Sequence, residues 1–495
     1  MMERKSCIAA LDVGTSSVKV CLFDLHMNLV SRSVQEYTLD AHGDRVEVDG
    51  QVYLNAIRAG VREALTSVSE YRVAAIGVTT QGETLAPVDE SGKPLRPFIV
   101  WLDGRAERQA AVLREVLDDK EFYRTTGLPE ISGALPLAKL RWLREEEPEI
   151  YKKTHKFLLV EDYVLYHLTG KFVSEKALQT STGWFDLESD GLWTEGLAAA
   201  GIAPEKLPDI LECGEVVGPL TEKTAVLLGL EPGIPVVTGA MDQTAAALAG
   251  GCTKPGMVTE TTGSALVLAA CTDAPIFADG HHVTIYRHAL PRKFIYLPIG
   301  NTGGMALKWF RDQFCRDLPG GETGFNAINQ LIESVPAGCE GLVFLPFLAG
   351  SVDPDNCPEA TACFFGARLS TTRAHFARSV MESIAFLLRD FFEMLQKLGC
   401  DVESVCSLGG GSRSPVWLQM KADVCGRTFR AASCSEATAM GAALLAGWGA
   451  GLIERDKLPE SGAAHIHAPN PENFESYETA YQLYKKLYAA LKSLY

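Results

Sequence analysis

The stretch Asp12-Val-Gly-Thr-Ser-Ser17 puts a carboxylate at the end of an apolar run, directly before a glycine turn. Gly14 lets the backbone approach a ligand closely, and Thr15, Ser16 and Ser17 offer N–H and hydroxyl donors. Such groups cradle β/γ-phosphates, with Asp12 available to hold Mg²⁺ through water. The bland alternative is a hairpin turn with an aspartate cap. A second carboxylate, Asp242, follows the apolar Pro235–Met241 stretch and precedes the helix-prone Gln243-Thr-Ala-Ala-Ala-Leu. At a strand-to-helix corner it can accept the proton of an attacking hydroxyl, the task of a base in phosphoryl transfer. The same residue also reads as the N-cap of an alanine-rich helix.

Other turns carry polar groups suited to ligands. Thr79-Thr-Gln-Gly-Glu-Thr84 ends the apolar run Val73–Val78. Open α/β sheets bind ligands at strand ends, so Gln81 and Glu83 are candidates for substrate hydroxyls. Trp101-Leu-Asp-Gly-Arg105 adds a ring, a carboxylate and a guanidinium, an inventory typical of sugar sites. Its alternative is a surface turn in which Asp103 and Arg105 pair locally. Two further glycine turns are Thr261-Thr-Gly-Ser264 and Gly409-Gly-Gly-Ser-Arg-Ser414, where backbone can meet a nucleotide closely. In the second, Ser414 is an expected N-cap with Pro415 at the first helical position. The helix expected over Glu436–Trp448 carries Ala437, Met440, Leu444 and Trp448 as a core stripe. Its small residues Ala439, Gly441, Ala442 and Ala443 permit close packing, or close approach of an adenine ring.

Several chemistries are missing. The ten histidines form no H-E-x-x-H pattern, and His281-His282 reads as a polar loop. There is no G-x-S-x-G elbow. The thirteen cysteines contain no C-x-x-C pair, and the spacings Cys357–Cys363 and Cys400–Cys406 do not match zinc frameworks. With no secretory h-region near Met1–Cys7, the expectation is a reduced, cytoplasmic protein. A formal net charge of −16 argues against nucleic-acid or anionic-membrane partners. No apolar run reaches the roughly 18 residues that span a bilayer.

The elements that must position these residues follow from periodicity. Ile8–Phe23 reads as strand, tight turn, strand; further strands are expected at Val73–Val78, Phe157–Leu159 and Pro235–Thr238. Helical spacing marks Val52–Leu65 and Ala106–Leu117, and a polar-faced helix is expected over Tyr477–Leu494. The mixture points to α/β layers. A Gly/Pro-rich break at Ala249–Gly256 divides the chain near its middle. After it, Met257–Leu268 again reads strand, Gly-Ser turn, strand, which suggests a duplicated unit.

Taken in order, these segments resemble the FGGY carbohydrate kinase family, which includes glycerol kinase, xylulokinase, ribulokinase and gluconokinase. The resemblance covers nearly the whole chain. It runs through Leu11-Asp-Val-Gly-Thr-Ser, Gln81-Gly-Glu-Thr, Val100-Trp-Leu-Asp-Gly-Arg, Lys139-Leu-Arg-Trp-Leu, Gly239-Ala-Met-Asp-Gln and Thr262-Gly-Ser. It continues through Gly303-Gly-Met-Ala-Leu-Lys-Trp, Phe344-Leu-Pro-Phe, Phe365-Gly-Ala-Arg-Leu, Gly409-Gly-Gly-Ser-Arg-Ser and Ala437-Thr-Ala-Met-Gly-Ala-Ala.

The resemblance implies two RNase H-like lobes of the actin/hexokinase/Hsp70 superfold around a central cleft, residues 1–249 for sugar and phosphate and 250–495 for nucleotide. It implies ATP and Mg²⁺ as cofactors, Asp242 as catalytic base and Asp12 as the metal-positioning residue. Gly14, Thr15, Ser16, Gly263, Ser264, Gly304, Gly410 and Gly411 would contact the nucleotide. Gln81, Glu83, Asp103, Arg105, Asp242 and Gln243 would contact a small-molecule sugar or polyol. A homodimer is compatible, dimers being common among relatives.

The substrate motifs are a mosaic. Where xylulokinases show Met-His and glycerol kinases Arg-Glu, this chain has Gly82-Glu83. Gln243 resembles glycerol kinase, whereas Trp101-Leu-Asp-Gly-Arg and Gly410-Gly-Ser-Arg-Ser are closer to xylulokinase. Ala134 falls near the place of a glycerol kinase aromatic residue, and Ser351-Val-Asp-Pro-Asp-Asn356 lacks the usual Arg or Trp. A ketopentose such as xylulose is the favoured substrate. A glycerol- or tetritol-type polyol is the alternative, and a non-kinase ATPase or sugar sensor of the same superfold is the reading from another class.

Overall fold

The computed structural model describes residues 4–278, 283–433, 435–455 and 465–495; His281-His282 lies outside them. It is built as two compact units. The first comprises the described residues of Met1–Ala249, Thr284–Ile295 and Glu436–Glu460, the second those of Gly250–Val283, Tyr296–Ser435 and Ser461–Tyr495.

The first unit is organised by a six-stranded sheet. Its strands are β1 (Lys5–Val13), β2 (Ser17–Asp24), β3 (Leu29–Glu36), β4 (Tyr71–Thr80), β5 (Val216–Pro219) and β6 (Pro235–Val237), in the order β5-β6-β4-β1-β2-β3. β1 and β2 pair antiparallel through the tight turn expected at Gly14–Ser16, while β4 lies parallel to β1 on its other side. The register sets Asp12 beside Lys19 on β2 and beside Thr79 on β4. Two polar strand ends, Asp12–Thr15 and Thr79–Gln81, are therefore neighbours; the Gln81 N–H donates to the Val13 carbonyl at 3.0 Å. The fully apolar faces of these strands explain why they run through the middle of the sheet: Ile8, Ala9, Ala10, Leu11 and Val13 are all buried.

In the second unit the same order recurs. β7 (Met257–Thr262), β8 (Leu266–Thr272), β9 (Ser404–Leu408), β10 (Thr428–Ala431) and β11 (Ile466–His467) include the run β8-β7-β9-β10-β11. β7 and β8 form an antiparallel hairpin, and β9 lies parallel to β7. The triplet β8-β7-β9 repeats β2-β1-β4, so the duplication suggested by two short Gly-Ser turns extends to topology. The long helix Arg373–Lys397 packs against Pro415–Cys425, where the Trp417 indole N–H donates to the Met381 carbonyl at 3.0 Å. Ser414 caps that second helix as expected, its hydroxyl accepting the Trp417 N–H. The C-terminal helix Phe474–Leu491 belongs to this unit, tied by Arg378 to Tyr477 and by Arg389 to Glu478.

The division at residue 249/250 differs from the expected lobes in two places. Thr284–Ile295 and the stretch beginning at Glu436 pack with the first unit. The physical reason is clearest for helix Ala437–Gly449, which is buried without interruption from Ala439 to Trp448. A helix with no polar face needs cover all round. Its small residues let it sink between neighbours: a Cβ on Gly441 would lie 2.0 Å from the Ala245 carbonyl, and one on Gly77 of β4 would lie 2.4 Å from the Ala442 carbonyl. These residues serve helix packing.

Candidate active site

The polar strand ends of the first unit gather a set of carboxylates. Asp12 is almost fully buried, and its Oδ2 is 3.5 Å from Lys19 Nζ. Lys19 also faces Glu436 at 3.6 Å, and Arg32 pairs with Glu436 at 3.0 Å. Burial raises the Asp12 carboxyl above its usual range and the Glu436 charge pushes the same way, against the pull of Lys19. The turn beyond it is tight: the Gly14 N–H donates to the Ser17 carbonyl at 3.0 Å, and the Gly14 carbonyl accepts the Tyr37 hydroxyl.

Asp242 opens the helix Asp242–Ala249, and its Oδ1 accepts the Gln243 N–H at 2.6 Å. Burial pushes its carboxyl up to about 7, and the charge of Asp12 adds to the rise, so the two aspartates share one electrostatic environment. Glu83 joins them. It is held in the left-handed region at φ 64°, a conformation that costs energy for a residue with a Cβ and recurs at functional sites. Burial pushes Glu83 up to about 7 as well; Lys139 opposes the rise and Asp242 adds to it. Lys139 is fully buried, brought down to about 8 by burial, and donates to the Val100 carbonyl at 2.9 Å. Tyr286, from the short strand Ile285–Arg287, is buried within reach of the Glu83 and Asp242 charges; burial and then those charges raise its phenol.

Gln81 sits beside this group in a different role. Its Oε1 accepts the Thr15 hydroxyl at 2.9 Å, and its Nε2 donates to Tyr53 at 3.2 Å. The Thr15 oxygen in turn accepts the Trp101 indole N–H at 3.0 Å. The relay Trp101–Thr15–Gln81–Tyr53 locks the turn after Asp12 against the half-exposed Trp101 ring. Gln81 thereby positions its neighbours with its own oxygen already engaged.

Asp103 and Arg105 form a buried local pair. Asp103 is completely buried and accepts the Val46 N–H at 2.6 Å, the Arg105 N–H at 3.0 Å, and Arg105 Nε and Nη2 at 2.8 and 2.6 Å. Arg105 is also paired with Glu47 at 2.7 Å and stacked on Trp142, 5.0 Å from its ring centre. Both oxygens of Asp103 are occupied within this local pair, while Arg105 Nη1 is buried with no hydrogen-bond partner. Asp103→Ala should cost about 3 kcal/mol of stability by removing one of the two carboxylate partners of a buried guanidinium, read as a lower melting temperature. The KM for sugar should stay within about threefold, as expected when ground-state binding groups are untouched.

The second unit gathers the other glycine turns at the ends of β7 and β9. The Gly304 N–H donates to the Gly263 carbonyl at 2.7 Å and the Gly303 N–H to the Ser264 carbonyl at 2.8 Å. A Cβ on Gly304 would lie 2.6 Å from the Gly263 oxygen, and one on Gly411 would lie 2.6 Å from Thr262 Cβ. Gly263, Ser264, Gly304 and Gly411 thus form one corner, with Gly410 exposed beside it. Beneath lies an ion pair that sequence reasoning did not single out. Lys421 and Glu260, both 0% exposed, meet at 2.9 Å, and Lys421 also donates to the Thr262 hydroxyl at 2.7 Å. The Ser407 hydroxyl donates to Glu260 at 2.7 Å.

A magnesium nucleotide suits these donors. Among the described residues no group of three His, Cys, Asp or Glu side chains is arranged to hold a metal. A cation at Asp12 would complete its shell with water and phosphate oxygens, which is how Mg²⁺ is commonly bound. Lys19, Glu436, Lys139 and Tyr286 are the site residues missed in the sequence. Lys19 had a local signal, its place opposite Asp12 across the tight turn, and Lys139 opens one of the motifs that carry the resemblance. Among the described residues no helix is long and apolar enough to cross a membrane.

The chain is similar to known proteins along nearly its whole length. The sequence profile of the FGGY family of carbohydrate kinases, N-terminal domain, matches residues 7–249, and that of the C-terminal domain matches residues 258–450. A xylulose kinase of Staphylococcus epidermidis is 27% identical over 99% of this chain and 98% of its own. A gluconokinase of Bacillus subtilis is 26% identical over 99% of this chain and 97% of its own. The crystal structure of a xylulose kinase from Rhodospirillum rubrum superposes with a TM-score of 0.89 at 29% identity, covering 99% of both chains.

Proposed function

Since the chain belongs to the FGGY family of carbohydrate kinases, and so is an ATP-dependent sugar kinase, we propose that it phosphorylates a hydroxyl of a neutral sugar or polyol, a ketopentose such as xylulose foremost, with Asp242 as general base. The observation that carries this reading is the convergence of Asp242, Glu83 and Asp12 on one polar corner, with Asp242 pushed up to about 7 by burial and by Asp12. A base poised near neutrality can both exist deprotonated and accept a proton as the acceptor oxygen attacks.

Asp242 would take the hydroxyl proton, while Gln243 and Glu83 hold neighbouring hydroxyls and the Trp101 ring offers an apolar face. The left-handed backbone at Glu83 sets the direction in which its side chain leaves the strand end. Asp12 would hold Mg²⁺ through water, and Gly14, Thr15 and Ser16 would meet phosphate. Gly263, Ser264, Gly304, Gly410 and Gly411 of the second unit would contact the nucleotide. Bound Mg²⁺ supplies neutralisation of the charge that develops on the transferring phosphoryl group.

Charge selects among the family's substrates. Glu83 and Asp242 are both carboxyls, and Lys139, whose charge reaches Glu83, donates to the Val100 carbonyl. An aldonate such as gluconate would set its own carboxylate against them, with the Lys139 charge already shared with Glu83. A neutral ketopentose or polyol meets no such repulsion. The glycerol- or tetritol-type reading is the second one, favoured by Glu83 together with Gln243.

A coupled ADP-release assay across ketopentoses, pentitols, tetritols, glycerol and gluconate tests the proposal. The expected order has a ketopentose with the highest kcat/KM and gluconate at least about a hundredfold lower, the lower end of the discrimination that differential contacts supply. Gluconate as best substrate would overturn the charge argument. Release of ADP that no sugar stimulates would favour the ATPase or sensor alternatives.

A further inference from the structure

We propose that Glu161 and Glu175, two buried carboxyls that touch no expected ligand position, together with the Thr79 hydroxyl set the aim of Asp242 by gripping the backbone of the three residues that precede it. The inference rests on Asp242 being the base, and it names the groups that keep that base in place.

Gly239-Ala240-Met241 connects the end of β6 to the helix opened by Asp242. Each of its three residues has a backbone group held by a buried side chain. The Gly239 N–H donates to Glu161 Oε1 at 3.0 Å. The Ala240 carbonyl accepts the Thr79 hydroxyl at 2.6 Å. The Met241 N–H donates to Glu175 Oε1 at 3.0 Å. The segment is pressed so closely on β4 that a Cβ on Gly239 would lie 1.6 Å from the Val78 carbonyl. On the far side, the Met241 carbonyl accepts the Thr244 N–H and hydroxyl at 3.0 and 2.8 Å. The Cα of Asp242 is therefore fixed from both directions before its side chain makes any bond.

Glu161 and Glu175 are not equivalent. Glu175 receives four donors: Met241 N–H, Leu178 N–H at 2.7 Å, Ala177 N–H and the Cys213 thiol at 2.9 Å. Glu161 receives the Gly239 N–H, and its Oε2 is buried with no hydrogen-bond partner. Hydrogen bonds to the charged form favour it, and two carboxyls in one dry interior do not both ionise. Burial pushes Glu175 up to about 7 despite its four donors and raises Glu161, which has one, well above the usual carboxylate range, so of the two Glu161 is the one that holds the proton more firmly. Burial raises Glu161, and the Glu175 and Asp162 charges beside it push the same way. Asp162, also buried, is engaged by the Leu159 N–H at 2.8 Å. A neutral Glu161 needs only one acceptor oxygen to hold Gly239.

The arrangement matters because a base displaced by about 1 Å from the hydroxyl it serves can lose roughly a hundredfold in rate. None of the three gripping groups reaches substrate, so loosening them should appear in kcat and not in binding.

The test uses the full chain in the coupled ADP assay, with Asp242→Asn alongside as reference. Glu161→Leu should lower kcat by about 30- to 100-fold with both KM values within about threefold, the pattern of a displaced catalytic group. Glu161→Gln, whose amide oxygen can still accept the Gly239 N–H, should recover kcat to within about fivefold of wild type. Should Glu161→Leu fail to fold, the isosteric Thr79→Val carries the test, with an expected loss of about five- to tenfold in kcat alone. A leucine variant with lowered melting temperature and wild-type kcat would overturn the inference. So would a glutamine variant as slow as the leucine one. A fully active Asp242→Asn would instead remove the base assignment on which the inference rests.

Discussion

Asp242→Asn is expected to lower kcat by about 10³- to 10⁴-fold, the upper part of the range for losing a general base, with little change in nucleotide affinity. Asparagine keeps the size of the side chain and an oxygen for the Gln243 N–H, now 2.6 Å from Asp242 Oδ1. What it loses is the capacity to accept the proton of the attacking hydroxyl. It also removes a negative charge that burdens Asp12, so a magnesium nucleotide should bind at least as well as in the wild type. Isothermal titration with MgADP, beside steady-state rates, separates the two effects.

The pH profile supplies an independent reading of the same group. A base must be deprotonated to act, so kcat/KM rises with pH as it ionises. Burial and then the Asp12 charge push Asp242 up to about 7, which places the acid limb near neutrality instead of near 4. Below it, log kcat/KM should fall by about one per pH unit, as for a single essential base. Glu83 is pushed up to about 7 too, so Glu83→Gln is the control. The limb should persist in Glu83→Gln and vanish from the residual rate of Asp242→Asn. A limb that stays near 4 in the wild type would assign proton removal elsewhere.

The largest expected loss of stability lies in the second unit. Lys421→Met should destabilise it by about 3–5 kcal/mol, the usual cost of removing one partner of a buried ion pair. Glu260 would keep the Thr262 and Ser407 hydroxyls but lose its counter-ion in a site with no water access: both members of the pair are 0% exposed. Glu260→Gln combined with Lys421→Met should recover most of that loss, because no charge is then stranded. Thermal unfolding of the two single variants and the double variant closes the cycle. The pair also supports the glycine corner. Lys421 holds the Thr262 hydroxyl at 2.7 Å, and Gly411 packs where a Cβ would meet Thr262 at 2.6 Å. Loosening Thr262 should therefore raise the KM for ATP by about tenfold, the effect of one or two displaced hydrogen bonds. An unchanged melting temperature would overturn the assignment of this stability to the pair.

Groups whose role is carried by neighbours in the chain were legible in advance. The turn at Gly14–Ser16 follows from two apolar runs around a Gly-Thr-Ser cluster, and the strand ending at Asp12 follows from the run before it. Ser414 before Pro415 announced a capped helix, and the structure has it. The break at Ala249–Gly256 and the second Gly-Ser hairpin announced a duplicated sheet unit. In each case the information lies within some ten residues, because φ/ψ preferences, capping and alternation of apolar side chains act at that range.

Whether a polar group is free or already engaged was decided only by tertiary structure. Asp103 and Arg105 carry the residue types of a sugar site, yet the Val46 N–H, 57 positions away, and Arg105 itself fill the Asp103 oxygens, while Glu47 and Trp142 hold the Arg105 guanidinium. Gln81 is taken by Thr15 and Tyr53. Tyr286 joins the Asp242 corner although the chain places it 44 residues beyond that aspartate. Helix Ala437–Gly449, close to the end of the chain, packs with the unit that starts it. Hydrogen-bond capacity is saturable and burial is collective. The amino-acid types therefore determined what chemistry this protein could do, and the packing of distant segments decided which of its carboxylates remain open to do it.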